Sequence, residues 1–397
     1  MRSPAVEATD DALSNNRGFS RVFRIHEPLS QRGQFRSAKF PLGIELVNET
    51  HDTRLFLWSE AFDFVHDLRC CHNTKLGQRT GEFKGEAEEL CFDMNKRIRG
   101  VLAPVVTPFR ADLSPDRQRF IAHCKWLLPQ NCGLAVFGTN SEANSLSIEE
   151  RSLLLDAVIA AGIDLSRVMP GTGCCSITET VKLTAEAVKH GCAGVLMLPP
   201  FYYKGVSEEG LYRYFSEVVQ RVGDARLKIY LYHIPPVAMV GITTGLVERL
   251  LKAYPDTIAG MKDSSGDWNN TKLFLDAFAK TGFDVFVGSE SFLLANMRNG
   301  GAGTISATAN VNPAAIYKLY TDWKNADADD QQARLNVVRD VFERRQPIIA
   351  ALKQAIAIYA NDPDWATVRP PLLELSEEQA KTLREELKAI SFTSLSE

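Results

Sequence analysis

Three kinds of side chain in this sequence stand where they could act on a carbonyl group. Lys262 lies late in the apolar run 258–265, where a lysine is hard to expose to water. Burial penalises its ammonium form, and a neutral lysine amine is the nucleophile that forms Schiff bases with carbonyl compounds. The competing interpretation is a strand-end lysine that reaches solvent or pairs with Asp263.

Tyr232 and Thr139 could complete such a site. Tyr232 comes late in the run 227–235, and a phenol there can accept and return a proton, although a lone tyrosine is more often a core residue. Thr139 and Asn140 follow Gly138, and their side-chain and backbone donors suit a carboxylate. Ordinary strand-to-loop chemistry is the alternative for this pair.

The elements that must position these residues form a regular alternation. Short apolar runs, typical of parallel strands covered by helices, alternate with helical patterns. Eight such units predict a (β/α)8 TIM barrel, with its active site at the carboxyl ends of the strands. A doubly wound sheet is the alternative, but the first run lacks the glycine-rich loop. The runs are 101–109, 133–140, 168–173, 194–200, 227–235, 258–265, 284–290 and 303–310.

Capping signals mark several helices. Ser147 and Glu150 form a predicted capping box, Ser207 and Ser376 begin further helical patterns, and 244–254 and 312–323 have helical spacing. Helices are also predicted over 329–359 and 376–390. We therefore predict a barrel over 94–326 and a C-terminal helical segment over 327–397 that packs on it.

Residues 1–93 have no consistent pattern. They are either an irregular N-terminal extension or a mis-assigned start, with Met94 as the true first residue. The second interpretation is favoured because the segment lacks the local consistency of foldable sequences. A zinc site is not predicted there, because the possible ligands lack CxxC spacing. They are Cys70, Cys71, His72 and Cys91.

Composition excludes several functions. The 397 residues carry a net charge of -4, which argues against nucleic acid as a partner. No run is long and apolar enough for a membrane span, and the first residues lack the apolar core of a secretion signal. The eight cysteines have no disulfide-like spacing, so a cytoplasmic location is expected.

Six segments in order resemble the dihydrodipicolinate synthase and N-acetylneuraminate lyase family of Schiff-base-forming class I aldolases. The resemblance covers about residue 98 to the C-terminus. The segments that carry it are Pro104-Val105-Val106-Thr107-Pro108-Phe109, Gly138-Thr139-Asn140-Ser141-Glu142, Gly171-Thr172-Gly173, Pro200-Phe201-Tyr202-Tyr203, Tyr232-His233-Ile234-Pro235 and Gly260-Met261-Lys262-Asp263-Ser264-Ser265-Gly266-Asp267.

The resemblance implies a lyase whose Lys262 condenses with C2 of pyruvate. Tyr232 would shuttle protons, and Thr139 would relay them to a second tyrosine. Tyr203 is similar to that second tyrosine, which in this family often comes from a neighbouring subunit, and Tyr202 is the weaker match.

The resemblance also implies which residues bind the substrate and line the pocket. Asn140 would clamp the pyruvate carboxylate, and Gly288 and Ile305 would line the pocket. No metal or other cofactor is implied, and the expected assembly is a homotetramer made of two tight dimers.

The sequence departs from the synthases five residues after Tyr232. Val237 stands where they carry an arginine for the carboxylate of the second substrate, in the apolar stretch 236–240. This favours an aldolase or lyase acting on pyruvate and an uncharged aldehyde. A 4-hydroxy-tetrahydrodipicolinate synthase, a deoxy-sugar-acid dehydratase and a non-catalytic 2-oxo-acid sensor are the alternatives. His233, where many members have Asn, is expected to cap the strand rather than bind substrate.

Overall fold

The structure, a computed structural model, describes residues 44–49, 52–57 and 97–393. In the first two ranges, β1 (Ile44–Glu49) and β2 (Asp52–Leu57) pair as antiparallel strands and belong to a unit separate from the rest. Most of the predicted irregular extension lies outside the described residues. The same is true of the four side chains weighed as zinc ligands, Cys70, Cys71, His72 and Cys91.

The larger unit is built on a curled sheet of parallel strands. Seven of the eight predicted runs each overlap one of these strands. They are β3 (Gly100–Ala103), β4 (Cys132–Leu134), β5 (Val195–Met197), β6 (Ile229–His233), β7 (Ile258–Asp263), β8 (Asp284–Val287) and β9 (Gly303–Ile305). Their order across the sheet is β4-β3-β9-β8-β7-β6-β5.

Strand side chains alternate between an inner and an outer apolar layer. On β6, Tyr230 and Tyr232 face an inner cluster that includes Phe286 of β8 and Ile305 of β9. Leu231, between the two tyrosines, packs in the outer layer with helical residues. Both faces of the sheet are therefore buried, which explains why the runs are almost continuously apolar.

The prediction of a strand over 168–173 holds only in part, because the segment pairs with its neighbours through isolated bridges and not as a continuous strand. Pro170 lies within the run and has no N–H to donate to a strand ladder. What remains is two isolated parallel bridges, Val168 with Leu134 of β4 and Gly171 with Leu196 of β5. The segment therefore contacts both edge strands of the seven-stranded sheet.

Helices follow most strands and begin where the capping signals predict. Ser147 and Glu150 form the capping box of α2, and Ser207 caps α4 by accepting a hydrogen bond from the Gly210 N–H. Between residues 97 and 322 the helices are α1 (Arg117–Leu127), α2 (Ile148–Ala160), α3 (Ile177–His190), α4 (Glu208–Val222), α5 (Pro235–Ala238), α6 (Thr244–Ala253), α7 (Trp268–Phe278), α8 (Leu293–Arg298) and α9 (Pro313–Asp322).

The C-terminal segment holds three further helices, α10 (Ala328–Glu343), α11 (Ile348–Ala360) and α12 (Glu377–Ala389). The prediction of a single helix over 329–359 is wrong, because the helical structure is interrupted between α10 and α11. Pro347 stands directly before α11, and a proline has no N–H and crowds the preceding turn. The cap at Ser376 is confirmed by its capping box with Gln379.

These helices share an apolar cluster with the sheet. Phe342 of α10, Leu352 of α11 and Leu387 of α12 pack with Val106 after β3 and Val311 after β9. The C-terminal helices therefore cover the carboxyl ends of those strands. None of the helices in the described ranges is both long and apolar enough to cross a bilayer.

Candidate active site

The pairing of β6 with β7 brings the predicted lysine and tyrosine together. Tyr232 is the register partner of Lys262, and both side chains are only 3% exposed. Lys262 Nζ donates a hydrogen bond to Tyr232 Oη over 3.3 Å and lies 4.5 Å from the centre of its ring. The amine is thus enclosed, and a phenol is its hydrogen-bond partner.

Asp263 does not form an ion pair with Lys262. Its carboxylate accepts hydrogen bonds from Thr271 Oγ1 at 2.6 Å, Asn270 Nδ2 at 3.1 Å and the Ser265 N–H at 2.9 Å. Neighbouring residues of a strand point to opposite faces, which separates Asp263 from the lysine before it. Within the described chain these two residues form no salt bridge, so the interpretation as a surface pair fails.

Thr139 reaches the tyrosine from the loop after β4. It begins a short 3-10 turn, Thr139–Ser141, and its Oγ1 lies 3.2 Å from Tyr232 Oη. The turn is fixed by Thr107, whose Oγ1 donates to the Ser141 carbonyl over 2.7 Å. Asn140 lies half-buried beside Thr139. Lysine, tyrosine and threonine therefore form one hydrogen-bonded chain.

A cavity opens beside the hydrogen-bonded side chains of Tyr232 and Thr139. Its walls come from the loop after β4, from the segment that bridges the two edge strands, and from the end of β5. The residues that line it include Gly138, Thr139, Arg151, Gly173, Leu198 and Tyr232. Its volume of about 10 Å³ is about that of one water molecule, and it reaches the hydroxyl groups of both Thr139 and Tyr232.

Gly288 and Ile305, the predicted lining residues, follow β8 and end β9. Ile305 is fully buried in the inner cluster that also contains Tyr232. A Cβ on Gly288 would overlap Ser264 and would meet Asp263 O at 3.0 Å, so the close approach of this turn to β7 requires glycine.

Tyr203 lies apart from the hydrogen-bonded hydroxyl groups of Tyr232 and Thr139. It is 64% exposed, and it packs edge-to-face on Tyr202, which is 74% exposed, with ring centres 5.4 Å apart. The structure thus brings Lys262, Tyr232 and Thr139 together and leaves the second predicted tyrosine at the surface.

His233 supports the loop after β6. Its Nδ1 accepts a hydrogen bond from the Ile242 N–H at 2.9 Å, and its ring packs 6.0 Å from that of Phe274. Burial lowers the pKa of His233, while the Asp263 carboxylate opposes this shift. The imidazole therefore has a structural role in the segment after β6. Val237 of α5, in this segment, is 61% exposed.

Two buried ion pairs behind the site were not predicted. Lys353 of α11 contacts Glu142 over 2.7 Å, and Arg339 of α10 contacts Glu290 over 2.9 Å. The Glu290 carboxylate also accepts a hydrogen bond from the Ser306 hydroxyl after β9. One sequence signal was present, since Lys353 interrupts a nearly apolar helix, but nothing local in the sequence names its partner.

Comparison with known proteins decides the family. The family model described as the dihydrodipicolinate synthetase family matches residues 97–390. The chain belongs to this family. It is therefore a lyase-type enzyme, and the resemblance predicted from about residue 98 onwards is confirmed.

Members of the dihydrodipicolinate synthetase family align with nearly their full length. An uncharacterized DapA-like lyase of Chloroflexus aurantiacus is 34% identical over 292 residues, which cover 72% of this chain and 95% of that protein. A 4-hydroxy-tetrahydrodipicolinate synthase of Thermus thermophilus is 35% identical over 296 residues, or 72% and 94% of the two chains.

A solved family structure has the same fold. It is that of YagE, a prophage protein of Escherichia coli K12 in complex with pyruvate, which is 27% identical with a TM-score of 0.68. The match covers 74% of this chain and 99% of that one.

Proposed function

We propose that this protein is a Schiff-base (class I) aldolase or lyase that condenses or cleaves pyruvate with an aldehyde through Lys262. The observation that carries the proposal is the enclosed Lys262 amine, 3% exposed and 3.3 Å from the Tyr232 hydroxyl. The presence of pyruvate in a related solved structure supports this choice of 2-oxo acid.

Imine formation needs a nucleophile and a proton carrier. The Lys262 amine attacks C2 of pyruvate, and the resulting carbinolamine loses water to give the imine. Tyr232 donates the proton that lets the hydroxyl leave as water. Thr139, 3.2 Å from Tyr232, is the relay through which the resulting phenolate exchanges protons with solvent.

The protonated imine acts as an electron sink for the carbon–carbon step. In the cleavage direction, Tyr232 removes the proton of the C4 hydroxyl, and the C3–C4 bond electrons move into the imine. An aldehyde leaves and the enamine of pyruvate remains on Lys262. In synthesis the enamine attacks the aldehyde carbonyl, and Tyr232 returns the proton to the new alkoxide.

The carboxylate of pyruvate is assigned to the turn after β4. Among the described residues, the N–H groups of Thr139 and Asn140 donate to no protein acceptor. Free N–H groups at such a turn suit an anion. Gly288 and Ile305 are proposed to line the pocket near the Lys262 amine.

The aldehyde is proposed to be uncharged. Val237 of α5 and Met239 directly after it are 61% and 69% exposed and can offer no ion pair to a second carboxylate. The second candidate is 4-hydroxy-tetrahydrodipicolinate synthase, which the 35% identity to the Thermus thermophilus protein favours.

The assembly and the complete barrel belong to the same proposal. We infer that the segment 168–171, bridged to both β4 and β5, fills the eighth position of a (β/α)8 barrel. We further propose a tetramer of tight dimers, in which the exposed Tyr203 enters the neighbouring subunit's site. A cytoplasmic location is supported by the free cysteines of the described part.

An aldehyde screen tests the function. Purified enzyme with pyruvate is offered aliphatic aldehydes, uncharged sugar aldehydes and aspartate semialdehyde, and pyruvate consumption is followed beside a Lys262→Ala control. Turnover with an uncharged aldehyde, lost in Lys262→Ala, is the expected result. Preference for aspartate semialdehyde would favour the synthase, and no turnover with any pair would count against both.

A further inference from the structure

Lys353 is completely buried although it is cationic. It stands in α11, and its ammonium donates to Glu142 Oε1 over 2.7 Å and to the Thr107 carbonyl over 2.8 Å. The side chains of Lys353 and Glu142 are both 0% exposed. The attraction within a buried ion pair roughly offsets its desolvation cost, so stability is a weak reason for its presence.

The partners of Lys353 flank the turn that carries Thr139. Glu142 directly follows the turn Thr139–Ser141 and has a left-handed backbone with φ of 54°. Thr107, the other partner, donates its hydroxyl to the Ser141 carbonyl over 2.7 Å. One ammonium group thus fixes the turn from both sides.

We propose that Lys353 is a positioning residue, which holds Glu142 and Thr107 so that Thr139 stays within hydrogen-bond distance of Tyr232. The inference rests on the proposed function, because Thr139 and Tyr232 matter here as proton carriers at the imine. Through Lys353, the C-terminal helical segment would help to fix the position of Thr139 in the active site.

Loss of the ammonium has a direct consequence for the turn. Glu142 would keep one hydrogen bond, which its second oxygen accepts from the Arg369 N–H at 2.9 Å. A buried carboxylate with so few partners is unfavourable, so the turn shifts to hydrate it. Thr139 moves with the turn, and a displacement of about 1 Å in a catalytic group can slow a reaction about 100-fold.

The test uses pyruvate as the probe. The full chain is mixed with pyruvate and borohydride, and the rate of irreversible adduct formation is measured by mass spectrometry on folded protein. Lys353→Met is expected to slow this rate about 10- to 100-fold. Arg345→Met is the matched control, since it breaks a 2.7 Å ion pair with Glu386 of α12 that lies away from the turn. It should lower the melting temperature and leave the trapping rate unchanged.

A double-mutant cycle separates positioning from folding. Thr139→Val alone should slow trapping, and adding Lys353→Met to it should cause little further loss, because both changes remove the same contact. If Lys353→Met alone does not fold, the double variant Glu142→Gln with Lys353→Met is used, because it removes the ion pair without leaving an unpaired charge. Its rate of adduct formation with pyruvate should be slow as well.

The outcomes decide between the claims. Equal trapping rates for wild type and the Lys353 variants, or fully additive losses with Thr139→Val, overturn the positioning role while the proposed function stands. A wild-type chain that forms no adduct overturns the proposed function, and this inference falls with it.

Discussion

At the scale of single residues, the proposed chemistry depends on one hydroxyl group shared by two partners. Tyr232 Oη lies 3.3 Å from Lys262 Nζ and 3.2 Å from Thr139 Oγ1. It can therefore take a proton on one side and release one on the other. No other side chain of the described chain bonds to both the amine and the threonine.

Removing that hydroxyl should abolish most of the activity. In Tyr232→Phe the ring still fills the inner cluster, but the proton carrier is gone, and general acid–base groups typically contribute 10²- to 10⁴-fold. We expect turnover with pyruvate and an accepted aldehyde to fall by about that factor. The melting temperature, measured by circular dichroism, should change little.

Tyr230→Phe is the matched control for this prediction. Tyr230 lies two residues earlier on the same face of β6, and its buried hydroxyl has no hydrogen-bond partner among the described residues. Its removal should leave the rate intact and the fold as stable or slightly more stable. Normal turnover in Tyr232→Phe would remove the phenol from the mechanism.

At the scale of elements, the site depends on how closely the segment 168–173 approaches its neighbours. A Cβ on Gly171 would overlap the Phe137 carbonyl of the loop after β4, and one on Gly173 would overlap the backbone of Leu198. These glycines therefore let the segment sit between β4 and β5, next to the cavity wall.

Gly171→Ala should loosen this contact. Backbone cannot yield as a side chain can, so we expect a loss of about 1–3 kcal/mol in the free energy of unfolding. Urea denaturation measures it. Gly210→Ala in α4 is the control, because its Cβ would meet only Ser207 Oγ at 3.5 Å, and alanine favours a helix. A Gly171→Ala protein as stable as wild type would contradict the packing described.

Local signals predicted the elements better than they predicted the supports of the site. Capping at Ser147, Ser207 and Ser376 depends on neighbouring residues, and periodicity located Lys262 and Tyr232 at strand ends. The contact of Lys353 with Glu142 joins residues 211 positions apart, and only the folded chain shows it. The same holds for the hydrogen bonds that link Thr107 to the turn.

At the scale of the whole molecule, a buried histidine couples stability to pH. His123 of α1 packs against Trp126 and Trp365, and its Nε2 lies 3.2 Å from Asn310 Oδ1. Burial lowers the pKa of His123 to about 4, and the bond to Asn310 only partly opposes this. The unfolded side chain titrates near its ordinary value of about 6.5.

The sign of the effect follows from this difference. The unfolded state binds the extra proton first, so the contribution of His123 is complete above pH 6.5 and is lost as the pH falls towards 4. It amounts to about 3 kcal/mol. We expect the free energy of unfolding, measured in urea from pH 7 to 4, to fall less in His123→Gln. Parallel curves for the two proteins would contradict the assignment.

Assembly is testable by mixing inactive subunits. If Tyr203 enters a neighbouring site, a Tyr203→Phe chain and a Lys262→Ala chain complement each other, because a hybrid dimer has one complete site. Refolding the two variants together should restore turnover that neither has alone. Mixtures no more active than the separate variants would place Tyr203 outside the mechanism or inside its own subunit.

Reductive trapping tests the central claim most directly. Borohydride added in the presence of pyruvate should fix one adduct per chain, and peptide mass mapping should locate it on Lys262. Lys262→Ala should form none, while Lys353, the other lysine buried in the described part of the chain, stays unmodified. An adduct at a different lysine, or none in the folded wild-type chain, would contradict the account.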